Sequence, residues 1–149
     1  MKVALWIAGG LVAALAAAYV GMRLLLSADV DTSTYATLSE ARADQLFERG
    51  WLPDILPASA RDIRTTNDLD LNTSAGGFHL EPSDYYQFTA RLRPYSSMAS
   101  PFADLDGYVR RMREDGSQAG VFSDPESTWL FVCEEGGGYC EYTMWVHRQ

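Results

Sequence analysis

The chain has 149 residues and a formal net charge of −8, with 12 Lys and Arg against 20 Asp and Glu. Lys2 and Arg23 are the only charges before Asp29, so everything after the first residues is strongly acidic. Neutralising nucleic-acid phosphates needs clustered Lys and Arg, which excludes nucleic acid as a partner.

In chain order the first feature is an uncharged run over residues 3–22. As a helix, a run of ~20 residues spans about 30 Å, the thickness of a bilayer core. An N-terminal transmembrane helix is expected, with residues 1–28 as a membrane anchor. A cleaved signal peptide is the alternative, but its apolar region is usually only about 7 to 15 residues and is followed by a small-x-small site. Leu26 before Ser27 and Ala28 is a poor match to that site. Gly9, Ala13, Ala17 and Gly21 recur at every fourth position, a spacing that lets two helices approach closely. A homodimer through the anchor therefore stands beside the simpler reading that an alanine-rich anchor carries such a row by composition.

Residues 29–36 are polar and read as a tether. Thr37 followed by Glu40 is a capping-box pattern, which predicts a helix from there to about Arg49, stopped by Gly50. Pro53 and Pro57 then bracket Asp54, Ile55 and Leu56, and neither proline suits a helix interior. Trp51, Leu52, Ile55 and Leu56 are too apolar for a free linker. They form a strap that either closes the core or presents a partner surface.

Gly50-Trp51-Leu52-Pro53, then Leu56-Pro57, Ser59-Ala60 and Asp62-Ile63, resemble a pattern found in small bacterial envelope proteins of unknown function. The resemblance implies a compact extracytoplasmic α+β domain behind an N-terminal membrane segment, and it supplies no catalytic residues.

Beyond the strap, Ile63, Thr65, Leu69 and Leu71 alternate with Asp62, Arg64, Asp68, Asp70 and Asn72, predicting a strand with one wet face. Ser74 to Gly77 has turn chemistry, and Phe78 and Leu80 resume the alternation. Pro82 opens a helix carrying Tyr85, Phe88 and Leu92. A further helix is expected from Ser100, Pro101 and Asp104 to Gly116, with Phe102, Leu105, Val109 and Met112 facing inward. Residues 119–122, 128–133 and 139–146 read as strands, the last two flanking Gly136 to Gly138. A register that sets Cys133 opposite Cys140 also sets Phe131 opposite Tyr142 and Trp129 opposite Met144, making one face apolar.

Directly opposite strand residues are close enough for a disulfide, so Cys133 and Cys140 are expected to be joined, with free core thiols as the alternative. No cofactor is implied, and a zinc site would need more ligands than His79 and His147 supply from other segments. Asp68, Asp70 and Asn72 resemble the opening of a calcium loop. Thr73 and His79 then replace the glycine and glutamate such a loop requires, which favours a solvated acidic face. Ser74, His79 and Asp84 are the residue types of a nucleophilic triad, without any local signature around Ser74.

The fold expected is α+β, a small antiparallel sheet of about five strands with two or three helices on one face, over residues 37–149. Lys2 against Arg23 and Arg42 leaves the positive-inside rule weak, so the cysteine pair places the domain outside the cytoplasm. The function expected is a non-enzymatic, membrane-tethered interaction module of the bacterial inner membrane, single pass, with its C-terminal domain in the periplasm. Its partners would be the membrane through residues 3–22 and an unknown protein. An immunity-like protein blocking a basic effector and a small hydrolase or cation-dependent enzyme are the alternatives.

Overall fold

A computed structural model describes residues 29–147. Its elements are β1 (Val30–Thr37), α1 (Leu38–Ala43), β2 (Arg61–Asp68), β3 (Thr73–His79), α2 (Pro82–Thr89), β4 (Arg93–Pro94), α3 (Leu105–Glu114), β5 (Ser117–Ser123), β6 (Ser127–Glu134) and β7 (Tyr139–Val146). The strands form one sheet in the order β1-β2-β3-β7-β6-β5-β4. From β2 to β4 every neighbouring pair is antiparallel.

The sheet thus has seven strands rather than about five. The two additional ones are its edges, and each escapes periodicity for its own reason. β4 is only two residues long. β1 occupies the stretch expected to be a tether, because a strand with no fully buried residue shows no apolar alternation. The expected transmembrane helix lies outside the described residues, and among those residues no helix is long and apolar enough to cross a membrane.

Helices lie on both faces of the sheet rather than on one. The first face carries Ile63 of β2, Phe78 of β3, Trp129, Phe131 and Cys133 of β6, and Cys140, Tyr142 and Met144 of β7. α1, the proline strap and α2 cover it. The second face carries Ala119, Val121, Leu130, Val132 and Trp145, covered by Leu105 and Val109 of α3. Every residue of β6 from Ser127 to Cys133 is consequently buried. A continuous apolar run such as Trp129 to Cys133 is what a strand covered on both sides requires. Between β6 and β7, Cys133 pairs with Cys140, Phe131 with Tyr142 and Trp129 with Met144.

Local chemistry sets the ends of the helices. The Glu40 amide donates to Thr37 Oγ1 at 3.3 Å, and Glu40 Oε2 accepts the Ala36 amide at 2.8 Å. α1 nevertheless stops at Ala43, well short of Arg49. Gln45 takes a left-handed backbone, φ 59°, and the following turns deliver Leu46 into the core at 1 % exposure. Pro82 opens α2, and Tyr85 and Phe88 fill the first core. α3 begins at Leu105, later than Ser100, because Asp104 is itself left-handed at φ 53°.

The predicted turn at Ser74 to Gly77 is instead the body of β3, and the hairpin turns at residues 69–72. The glycines serve close approach here. A Cβ on Gly76 would fall 1.9 Å from the Arg64 carbonyl oxygen, and one on Gly77 would fall 2.1 Å from the Tyr139 hydroxyl. Glycine inside this strand therefore reports crowding in the sheet.

Candidate interaction surface

The strap is tied down along its length. Trp129 Nε1 donates to the Trp51 carbonyl at 3.4 Å, and Arg91 Nη1 donates to the Ile55 carbonyl at 3.2 Å. Ser59 Oγ donates to Asp84 at 2.6 Å, while Arg42 and Asp54 meet at 2.6 Å on the surface. Trp51, Leu52, Ile55 and Leu56 are all buried in the first core. Each large side chain so buried contributes about 1.5–3 kcal/mol. The geometry gives these four side chains to the core, while Pro57 of the strap is half-buried and Ala58 is exposed.

Cys133 and Cys140 are joined by a disulfide and are both buried. Among the described residues there is no cluster of three or more His, Cys, Asp or Glu able to hold a metal ion. Asp68 is otherwise engaged, since its Oδ1 accepts the amides of Asp70 at 3.1 Å and Leu71 at 2.9 Å. Asp70 and Asn72 are exposed on the same turn.

Ser74, His79 and Asp84 are not brought together. Ser74 Oγ donates to Asn67 Oδ1 at 2.7 Å and lies 3.0 Å from the Tyr142 hydroxyl, all three residues being buried. His79 is on the other face of the same strand by alternation, with Asp62 at 3.7 Å. Asp84 accepts the Ser59 hydroxyl. Burial pushes the Tyr142 phenol well above its ordinary range, and Ser74 acts in the opposite sense. On the second face burial likewise raises Tyr108, reinforced by Glu141, which accepts its hydroxyl at 2.6 Å. These phenols stay protonated and serve as donors at neutral pH.

What stands out to solvent is the β2–β3 turn. The two amide bonds to Asp68 close it, and Asn72 completes it with φ 50°, a conformation asparagine tolerates better than most residues. The closed turn aims Leu69 and Leu71 outward, at 51 % and 68 % exposure. Thr73 pairs with Trp145, which brings the turn beside Val146, itself 41 % exposed. A groove of about 830 Å³ runs between Leu71, Pro101 and Trp145. Its far wall is held by His147, with Nε2 at 2.8 Å from Thr128 Oγ1 and Nδ1 at 3.2 Å from the Pro125 carbonyl. A neutral ring protonated at Nδ1 satisfies both, donating to the carbonyl and accepting the hydroxyl.

Sequence periodicity placed Leu69 and Leu71 on the inward face of a strand. The signal against that reading was the spacing of Asp68 and Asn72, two turn formers that enclose both leucines.

Residues 29–79, which run from the start of β1 to the end of β3, match a family model described as the YbbD head domain. No curated protein and no solved structure matches the chain. Over β1, α1, the strap, β2 and β3, less than half of its length, the chain is similar to that family.

Proposed function

We propose that the domain is a non-enzymatic interaction module of the bacterial cell envelope, tethered to the membrane through the apolar run 3–22, with the β2–β3 turn as its protein-binding surface. The observation that carries this reading is the exposure of Leu69 and Leu71 on a turn fixed by Asp68. Apolar side chains carried on a closed turn, with Leu71 lining the groove, cost less backbone ordering on binding than they would on an open loop. Asp68 and Asp70 flank the leucines, so the complementary surface has an apolar anchor with basic groups around it. The Cys133–Cys140 disulfide supports placement on the oxidising side of the membrane.

A photocrosslinking residue placed at position 71 of the full chain, in its native membranes, tests the reading against the same residue at position 135, in the β6–β7 turn. A discrete protein adduct is expected from position 71 alone, and Leu69→Asp should abolish it. Equal adducts from both positions, or none from position 71, would remove the turn as the binding surface.

A further inference from the structure

The sheet ends on two edges of opposite design. β4 is two residues long, and Pro94 has no N–H to offer a neighbour. β1 is eight residues long, contains neither proline, glycine nor a basic residue, and is exposed or half-buried throughout. Among the described residues only β2 pairs with it. Alternate N–H and C=O groups along its outer side therefore face away from the sheet, a template for one more strand. Lysine is the residue most used to guard such an edge, and the only lysine in the chain is Lys2.

Charge narrows what could pair there. From Asp29 to Ala41 the charged residues are Asp29, Asp31 and Glu40, all acidic. The first basic residue, Arg42, is engaged with Asp54 at 2.6 Å and lies 4.1 Å over the Phe47 ring. Thr32 Oγ1 is 3.2 Å from Thr66 Oγ1, whereas Tyr35 packs against the first core. Strand alternation then puts Asp31 on the face of Tyr35, with Thr32 and Thr34 on the opposite face.

We propose that β1 accepts an extended segment of another protein as an eighth strand, the segment carrying Lys or Arg at the alternate positions that face Asp31. Main-chain hydrogen bonds supply the affinity of such an addition, and the alternate side chains supply its selectivity. A second copy of this chain is the disfavoured occupant, because it would bring a second acidic edge against the first. The edge is read from different residues than the leucine turn, and crosslinking at position 71 and exchange along β1 report on them separately.

Hydrogen exchange along residues 30–37 of the purified full chain is the test. The probes are a synthetic eight-residue peptide of alternating threonine and lysine and its threonine and glutamate counterpart. The lysine peptide should slow exchange of β1 amides and the glutamate peptide should not. Asp31→Lys should weaken the response at least about tenfold, as a like charge facing the peptide does, with the melting temperature unchanged. Glu114→Lys on α3 alters net charge equally and should leave the response intact. Three outcomes would overturn the proposal: equal protection by both peptides, protection absent from β1, or protection that rises with protein concentration when no peptide is present. The last would assign the edge to a second copy.

Discussion

The two faces of the sheet are covered to different extents by different kinds of segment. The first face, under α1, the strap and α2, buries side chains from β2 across to β6, and it holds the disulfide and the Asn67, Ser74 and Tyr142 hydrogen-bond chain. The second face is apolar only over β5, β6 and β7, where α3 sits, and over β2 and β3 it shows the exposed Asp62, Arg64 and Ala75. Two short helices and the strap together cover more of the sheet than α3 does alone. The leucine turn and the β1 edge belong to the half of the sheet where α3 is absent.

Adjacent residues of β6 allow the sharpest test of this asymmetry. Phe131 and Leu130 are both fully buried and point to opposite faces. Phe131 meets Phe88 and Phe78 edge-to-face, at 5.1 and 6.1 Å between ring centres. Phe131→Ala should cost about 3–5 kcal/mol and Leu130→Ala about 2–5 kcal/mol, towards the lower end if the face under α3 can relax. Urea denaturation of the two variants gives the order directly. A larger loss for Leu130→Ala would make the smaller cluster the one that governs stability.

The disulfide should contribute less than Phe131. It joins residues seven apart in sequence, and closing so short a loop is worth a little under about 3 kcal/mol on chain-entropy grounds. Trp129, Phe131, Tyr142 and Met144 still bury the same face without it. The double variant Cys133→Ala, Cys140→Ala should fold with a lowered melting temperature. Intact mass should rise by two hydrogens when the unaltered chain is reduced under denaturing conditions. Loss of all cooperative unfolding in the double variant would show that the apolar pairs cannot hold the hairpin alone.

Loosening the turn that presents the leucines should cost less than losing the disulfide. Asp68→Ala removes the acceptor of the Asp70 and Leu71 amides, both in contact with water, and should destabilise by about 1 kcal/mol. Its larger consequence should be faster amide exchange at residues 69–72 and a weaker crosslink from position 71. Unchanged exchange there would mean that Asn72 alone maintains the turn.

How much of this was legible depended on whether side chains or neighbours set the structure. The β6–β7 register was readable because Cys133, Phe131 and Trp129 find apolar partners in one alignment only, and Pro82 marked α2 by its own backbone. β1 was hidden because an exposed polar strand has the composition of a tether. The site of the β2–β3 turn was hidden because Gly76 and Gly77 answer to Arg64 and Tyr139, which are remote in sequence. Coverage of both faces was legible in the unbroken run from Trp129 to Cys133, a signal that pairing with one apolar face obscured. The leucine turn was lost to the same alternation rule that found β2, which continues through Leu69 and Leu71 after the strand has ended.

The smallest expected effect lies in the buried chain of the first face. Ser74 donates to Asn67, so its oxygen is left to accept the Tyr142 hydroxyl, and Tyr142→Phe removes that one bond for about 0.5–1.5 kcal/mol at neutral pH. The alkaline limb is more telling. Burial raises the Tyr142 pKa above its ordinary value of 10 in the folded state, so the native state holds this proton more tightly than the unfolded chain does. The stability tied to it is complete below the unfolded value and is lost as pH rises from there through the folded value, by up to about 1.4 kcal/mol per pH unit for one proton. Tyr95, raised to about 12 by burial and then by its bond to Asp106, adds a loss of the same sign from the second face. Tyr142→Phe should therefore flatten the decline as pH rises above 10, measured by urea denaturation, without abolishing it. A decline as steep as in the unaltered chain would mean that the phenol reaches water before the domain unfolds.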